Sequence, residues 1–229
     1  MNERILAIGD IHGCLTAFET LLSAVQPQPE DTFVTLGDYV DRGPDSRGVL
    51  ARLIDLGQTH HLVALRGNHE EMMLRTREDL KVASDWLDYG GDATLASYGV
   101  GDKAPNLAGI PLSHWTFLEQ QCIDCWETDT HFFVHANVYP DIPLAEQPPY
   151  VLHWARFEKA LPHQSGKIMI CGHTSQKSGL PANRGFAVCI DTWVYGKGWL
   201  SCLDVTSGLV WQANQEGQQR QLWLQDLLE

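Results

Sequence analysis

The chain has 229 residues, of which 44% are hydrophobic and 20% charged, and a formal net charge of −13. That length suits one substantial core rather than two, and the composition is that of an ordinary globular protein, outside the disordered, collagenous and membrane ranges. The acidic balance excludes broad binding to nucleic acid or anionic membranes, both of which require basic surface.

The segment before Gly9 holds too short an apolar run for a signal peptide, and no run reaches the roughly 20 apolar residues of a membrane span. The six cysteines are scattered, several of them inside apolar runs, so reduced thiols in a cytoplasmic protein are expected. Cys122 and Cys125 have the spacing of half a zinc site or of a redox pair, yet no second pair accompanies them. We expect a monomer with a single catalytic domain over residues 1–229.

In chain order, Ile5 to Ile8 predicts a first strand. Leu15, Phe18, Leu21, Leu22 and Val25 then fall at helical spacing until Pro27. Phe33 to Leu36 predicts a second strand, Val49, Leu50, Leu53 and Ile54 a second helix ending near Gly57, and Leu62 to Leu65 a third strand. These are two successive βαβ units, the signature of an α/β protein. Residues 70 to 125 read as mainly helical, with a break at Gly90-Gly91 and a loop at Gly99 to Pro111. Further strands are predicted at Phe132 to Val134, Ile168 to Cys171, Phe186 to Ile190, Leu200 to Asp204 and Leu209 to Gln212. A proline-rich loop is expected at Pro140 to Pro149 and a terminal helix in the last, Gln- and Leu-rich residues.

Five of the apolar runs end in a polar cluster: Gly9-Asp10-Ile11-His12-Gly13, Gly37-Asp38-Tyr39-Val40-Asp41-Arg42-Gly43, Arg66-Gly67-Asn68-His69-Glu70, His135-Ala136 and Gly172-His173-Thr174. In open α/β sheets ligands bind beyond the carboxyl ends of the strands, so the clusters are placed to converge. Asp10, Asp38 and Asn68 recur at intervals of roughly 30 residues, about one βαβ repeat each. Any one cluster alone would read as an ordinary turn; five in order point to a site. Their donors are carboxylate, amide and imidazole without thiolate, which suits manganese, iron or zinc in a catalytic centre. Six such donors exceed the needs of one open site and fit two ions with a shared ligand.

The pattern GD-x-HG, GD-x-VDRG, RGNHE, HA and GHT resembles that of the PPP-type phosphoprotein phosphatases within the calcineurin-like metallophosphoesterase superfamily, and especially their compact bacterial and phage members. The resemblance implies a central β-sandwich of two mixed sheets flanked by helices in four layers. It implies Asp10, His12 and Asp38 on one metal, and Asp38, Asn68, His135 and His173 on the other. His69 would be the general acid oriented by Asp41, with Arg42 and Arg156 holding the phosphate. Tyr89 to Thr94 is similar to a bacterial stretch usually written with Asn where Tyr89 stands.

From this set we expect two metal ions, Mn²⁺ before Fe or Zn, and a hydroxide between them that attacks phosphorus directly. The arginine forks match phosphate oxygens, and an imidazole bonded to a carboxylate can stay protonated to meet the leaving alkoxide. The expected substrate is a serine/threonine phosphoprotein or phosphopeptide. The alternative is a dinucleoside polyphosphate such as diadenosine tetraphosphate, against which Asp41 and Glu70 weigh. The other histidines, His60, His61, His114, His131, His153 and His163, read as surface or structural.

Overall fold

The computed structural model describes residues 3–100 and 107–228. Its first half runs β1 (Ile5–Ile8), α1 (Leu15–Val25), β2 (Thr32–Thr35), α2 (Ser46–Thr59), β3 (His61–Leu65) and α3 (Asn68–Glu78), followed by the short helices α4 (Ala83–Trp86), α5 (Asp92–Ser97) and α6 (Leu112–Thr116). Then come β4 (Cys122–Ile123), β5 (Cys125–Glu127), β6 (His131–Val134), α7 (Pro149–Trp154), β7 (Ile168–Cys171), β8 (Ala182–Asn183) and β9 (Ala187–Cys189). A β10 (Leu200–Asp204), β11 (Leu209–Ala213), β12 (Gln219–Trp223) meander closes the chain.

The strands form two mixed sheets, ordered β12-β11-β10-β1-β2-β3-β4 and β5-β6-β7-β9-β8. The β1-β2-β3-β4 and β6-β7-β9 runs are parallel, so their carboxyl ends share a rim, and antiparallel strands lie outside them. Strands buried on both faces read as continuous apolar runs rather than alternating ones, which is why the sequence betrays them. Ala7, Val34, Leu65, Phe133, Ile170 and Val188 fill the space between the sheets. The opposite face of the larger sheet, Leu6, Ile8 and Phe33, packs on Phe18, Leu21, Leu50 and Leu53 of α1 and α2. The outer face of the smaller sheet meets Leu152 of α7 and Phe157. Helices, sheet, sheet and helix make the four layers.

Several expectations need correction. The C-terminus forms β12 and a 3-10 turn at Leu224–Leu227 rather than a terminal helix: Gln219 to Trp223 alternates exposed and half-buried side chains with period two, and it pairs with β11. The short strands β4, β5 and β8 have too few residues to show a period. Cys122 and Cys125 sit on strands of different sheets, so their spacing marks the corner where the chain crosses from one to the other. α2 runs past Gly57 to Thr59, whereas the break expected at Gly90-Gly91 is present: Gly90 (φ +102°) leaves helical geometry and kinks the chain between α4 and α5. The expected loop from Gly99 to Pro111 lies partly outside the described residues and includes a 3-10 turn at Leu107–Gly109. In the proline-rich loop Pro149 opens α7, where its missing N–H costs nothing. No helix among the described residues is long and apolar enough to cross a membrane.

Phe133 is fully buried between the sheets. Replacing it with alanine leaves a cavity that neither sheet can close, so Phe133→Ala is expected to lower the unfolding free energy by about 3–5 kcal/mol, read from urea denaturation.

Candidate active site

The loops following β1, β2, β3, β6 and β7 carry the five polar clusters, and all reach the same rim. Seven described non-glycine residues have positive φ, and five of them belong to the clusters: His12, Asp38, Asp41, Arg42 and His173. Left-handed backbone is costly away from glycine and persists where surrounding structure fixes it. Here it turns each loop sharply enough to aim its side chain inward. The neighbouring glycines allow the closest approaches: a Cβ on Gly67 would lie 2.1 Å from Asp38 Oδ1, and one on Gly172 would lie 2.0 Å from Asp10 Oδ1.

Asp38 stands at the centre, 2% exposed. Its Oδ2 lies 3.5 Å from His12 Nε2 and 3.8 Å from His69 Nε2, while its Oδ1 lies 3.4 Å from His135 Nε2. Asn68 Oδ1 is 3.0 Å from both His135 Nε2 and His173 Nδ1. Two donor groups therefore share one carboxylate, His12-Asp38-His69 on one side and Asp38-His135-His173 on the other.

The imidazoles have the protonation that metal ligation requires. Burial pushes His12 well below its ordinary value and His135 down to about 3, and it lowers His173 as well, in each case against the pull of Asp38. His12 Nδ1 donates to the Val40 carbonyl at 2.9 Å and His135 Nδ1 to the Leu36 carbonyl at 2.7 Å. Tying the far nitrogen to backbone leaves a lone pair on Nε2 aimed at the carboxylate. Lone pairs of His135, Asn68 and Asp38 thus face one another in a buried space, an arrangement that repels unless a cation sits among them. The donor set fits a metal centre of oxygen and nitrogen ligands.

His69 stands beside this cluster with its Nδ1 2.7 Å from Asp41 Oδ2. Burial alone would push its imidazolium down, but the Asp38 and Asp41 carboxylates outweigh it and the net direction is upward. Asp41 is itself fully buried and held from three sides. Trp86 Nε1 donates to it at 2.9 Å, the Thr94 hydroxyl donates at 2.7 Å, and its own amide donates to Thr94 Oγ1 and Ser46 Oγ. Glu70 performs the matching task for the loop after β2, accepting the amides of Gly67, Asp38 and Tyr39 at 2.8–2.9 Å. Burial, reinforced by Asp38, raises its carboxyl to about 7.

Two expected residues stand apart from the donor groups. Asp10 is buried at the rim, but its carboxylate accepts the His173 amide at 2.9 Å. Arg156 is 67% exposed and pairs with Glu158 at 3.0 Å. Arg42 is closer, with Nη1 2.9 Å from His12 Nε2 and its guanidinium 4.6 Å over the Tyr195 ring.

Sequence reasoning passed over Trp86, Tyr195 and Asp191, and it read His153 as surface or structural. Asp191 follows β9 just as the recognised clusters follow their strands, so the same signal could have found it. It is buried, accepting the Ser175 hydroxyl at 2.6 Å. His153 lies between Asp124 (3.1 Å) and Glu71 (3.4 Å), joining α7 to α3 and to the corner before β5. It steadies Trp154, whose carbonyl meets the His173 ring.

Imidazoles poised around a shared carboxylate, with a carboxylate-held histidine at their flank, define a metal-dependent phosphoesterase. The sequence model of the family described as calcineurin-like phosphoesterase matches residues 3–177, and the chain belongs to that family. Over 161 residues it is 42% identical to the serine/threonine-protein phosphatase 1 of Salmonella typhimurium, covering 67% of this chain and 69% of that one. Over 129 residues it is 36% identical to the symmetrical bis(5'-nucleosyl)-tetraphosphatase of Acidovorax ebreus, covering 49% of this chain and 46% of the relative. The cold-active protein-tyrosine phosphatase of a psychrophilic Shewanella superposes with a TM-score of 0.66 at 16% identity, over 97% of this chain and 81% of that one, a likeness of fold.

His153 offers a test of the packing behind the site. Burial lowers its pKa, but Asp124 and Glu71 outweigh that and raise it to about 9. The folded value exceeds the unfolded one of about 6.5, so the stabilisation is complete below that pH and is lost as pH rises through about 9. Relative to wild type, His153→Gln is expected to cost about 2 kcal/mol at pH 6, allowing for partial screening of Asp124, and most of that difference should vanish by about pH 10 in urea titrations.

Proposed function

We propose that the chain is a dinuclear phosphomonoesterase acting on serine/threonine phosphoproteins. The observation that carries the reading is the sharing of Asp38 between two donor groups with the His69-Asp41 pair alongside. In this reading Asp10, His12 and Asp38 hold one metal, and Asp38, Asn68, His135 and His173 hold the other. The oxygen and imidazole donors suit manganese, with iron or zinc as alternatives, and manganese is the ion taken for the tests below. Bound there, the ions would supply Lewis-acid polarisation of the phosphoryl group and acidify water.

The protein's own residues do the rest. Arg42 is prepositioned by the Tyr195 ring to take phosphate oxygens in its fork. Arg156 reaches the phosphate by exchanging Glu158 for it, at little cost because that pair is exposed. His69, kept protonated by Asp41, hands its Nε2 proton to the departing oxygen, and Trp86 and Thr94 keep Asp41 from rotating away.

The histidine acid also weighs between substrates. A serine or threonine alkoxide is a strongly basic leaving group and needs a proton, whereas a nucleotide leaving through a phosphate oxygen is stable as an anion. The longer match to a serine/threonine phosphatase points the same way.

The test is a side-by-side assay, after chelation and restoration of Mn²⁺, of a phosphoserine peptide, p-nitrophenyl phosphate and diadenosine tetraphosphate. The phosphopeptide should be hydrolysed and the dinucleotide poorly or not at all; the reverse order overturns the assignment. His69→Asn and Asp41→Asn should each lower kcat on the phosphopeptide about 10²–10³-fold with metal content unchanged. The loss on p-nitrophenyl phosphate should be smaller, because its leaving group needs less help.

A further inference from the structure

A cleft of about 700 Å³ opens beside the catalytic cluster, between the C-terminal end of α3, α4 with the wide turn after it, and the end of α7. Its wall is aromatic: Trp86, Tyr89 and Trp154 line it, and the Tyr89 and Trp154 rings lie 6.4 Å apart in an edge-on arrangement. Its rim is acidic, carrying Glu78, Asp79, Asp85 and Asp88, all exposed, against the single guanidinium of Arg75. That cation already lies 3.6 Å from Glu71. None of the four carboxylates makes an ion pair among the described residues, whereas Asp79 is occupied in capping the turn at Lys81.

The position of the cleft gives it a role. The Tyr89 ring is 6.3 Å from that of His69, so the aromatic wall begins where the proposed acid meets the leaving oxygen. For a phosphoprotein the leaving group is the peptide, so the chain flanking the phosphorylated residue departs along this side. Aromatic faces with carboxylates at their edge suit a lysine or arginine side chain, whose stem lies on the rings while its charge meets the rim. A dinucleoside polyphosphate would bring anionic phosphates to the same edge and be repelled.

Building on the phosphatase reading, we propose that this cleft is a peptide subsite that selects phosphoserine and phosphothreonine residues flanked by lysine or arginine. The carboxylates are exposed, so the preference is screened by salt over a Debye length of about 8 Å at physiological ionic strength.

The experiment uses the full-length, Mn²⁺-loaded protein and two phosphoserine peptides that differ only in flanking lysines or flanking glutamates, with p-nitrophenyl phosphate as a substrate too small to enter the cleft. The basic peptide should show a kcat/KM at least about tenfold higher, mainly through KM, and the ratio should shrink on raising NaCl from about 50 to 500 mM. The triple variant Glu78→Gln, Asp85→Asn, Asp88→Asn should bring the two peptides within about twofold while turnover of p-nitrophenyl phosphate stays unchanged. Equal turnover of both peptides by wild type, or a preference that survives in the triple variant, overturns the subsite and leaves the phosphatase reading standing. Failure to hydrolyse either peptide while diadenosine tetraphosphate is cleaved overturns both.

Discussion

The carboxylate of Asp38 is removed from water, and a buried carboxylate must find cations or N–H donors nearby. The surrounding imidazoles hold it well below the usual carboxylate range against the penalty of burial, with His135 contributing most. The same burial keeps those imidazoles from staying charged on their own account. The opposing demands leave an anion ringed by lone pairs, a place that favours metal ions over protons. The left-handed turn at Asp38, the tight approach of Gly67 and the amide bonds into Glu70 all hold that carboxylate where two loops can share it.

The parts of the molecule visible in the sequence were those with a local signature. A strand buried on both faces is a short apolar run, and the polar residues just beyond it stand at the rim because parallel strands put their carboxyl ends together. That reasoning located all five loops, and applied once more after Ile190 it would have reached Asp191. What it could not reach was contact between segments distant in sequence. Trp86 and Thr94 bond Asp41 across 45 and 53 residues, and no pattern near Asp41 announces them. His153 likewise looks like any helical histidine until the fold sets Asp124 and Glu71 on either side of it. At the C-terminus, Gln and Leu composition suggested a helix, but pairing with β11 uses the period-two alternation of Gln219 to Trp223.

Charge is distributed to match the chemistry rather than uniformly. The chain as a whole carries −13; its rim sets histidines and Arg42 among buried carboxylates whose charge bound metal ions would offset, while the adjacent cleft is rimmed by exposed acids. An anionic phosphoryl group and a cationic peptide would each meet complementary surface a few residues apart. Tyr89 and Trp154, between the two, belong to the aromatic wall and also lie close to His69 and His173.

Metal stoichiometry tests the shared carboxylate most directly. Elemental analysis of Mn²⁺-loaded protein should give about two ions per chain in the wild type and about one in either His12→Ala or His135→Ala, with affinity at both positions weakened in Asp38→Ala. An Asp38→Ala protein that keeps two ions with undiminished affinity would contradict the account.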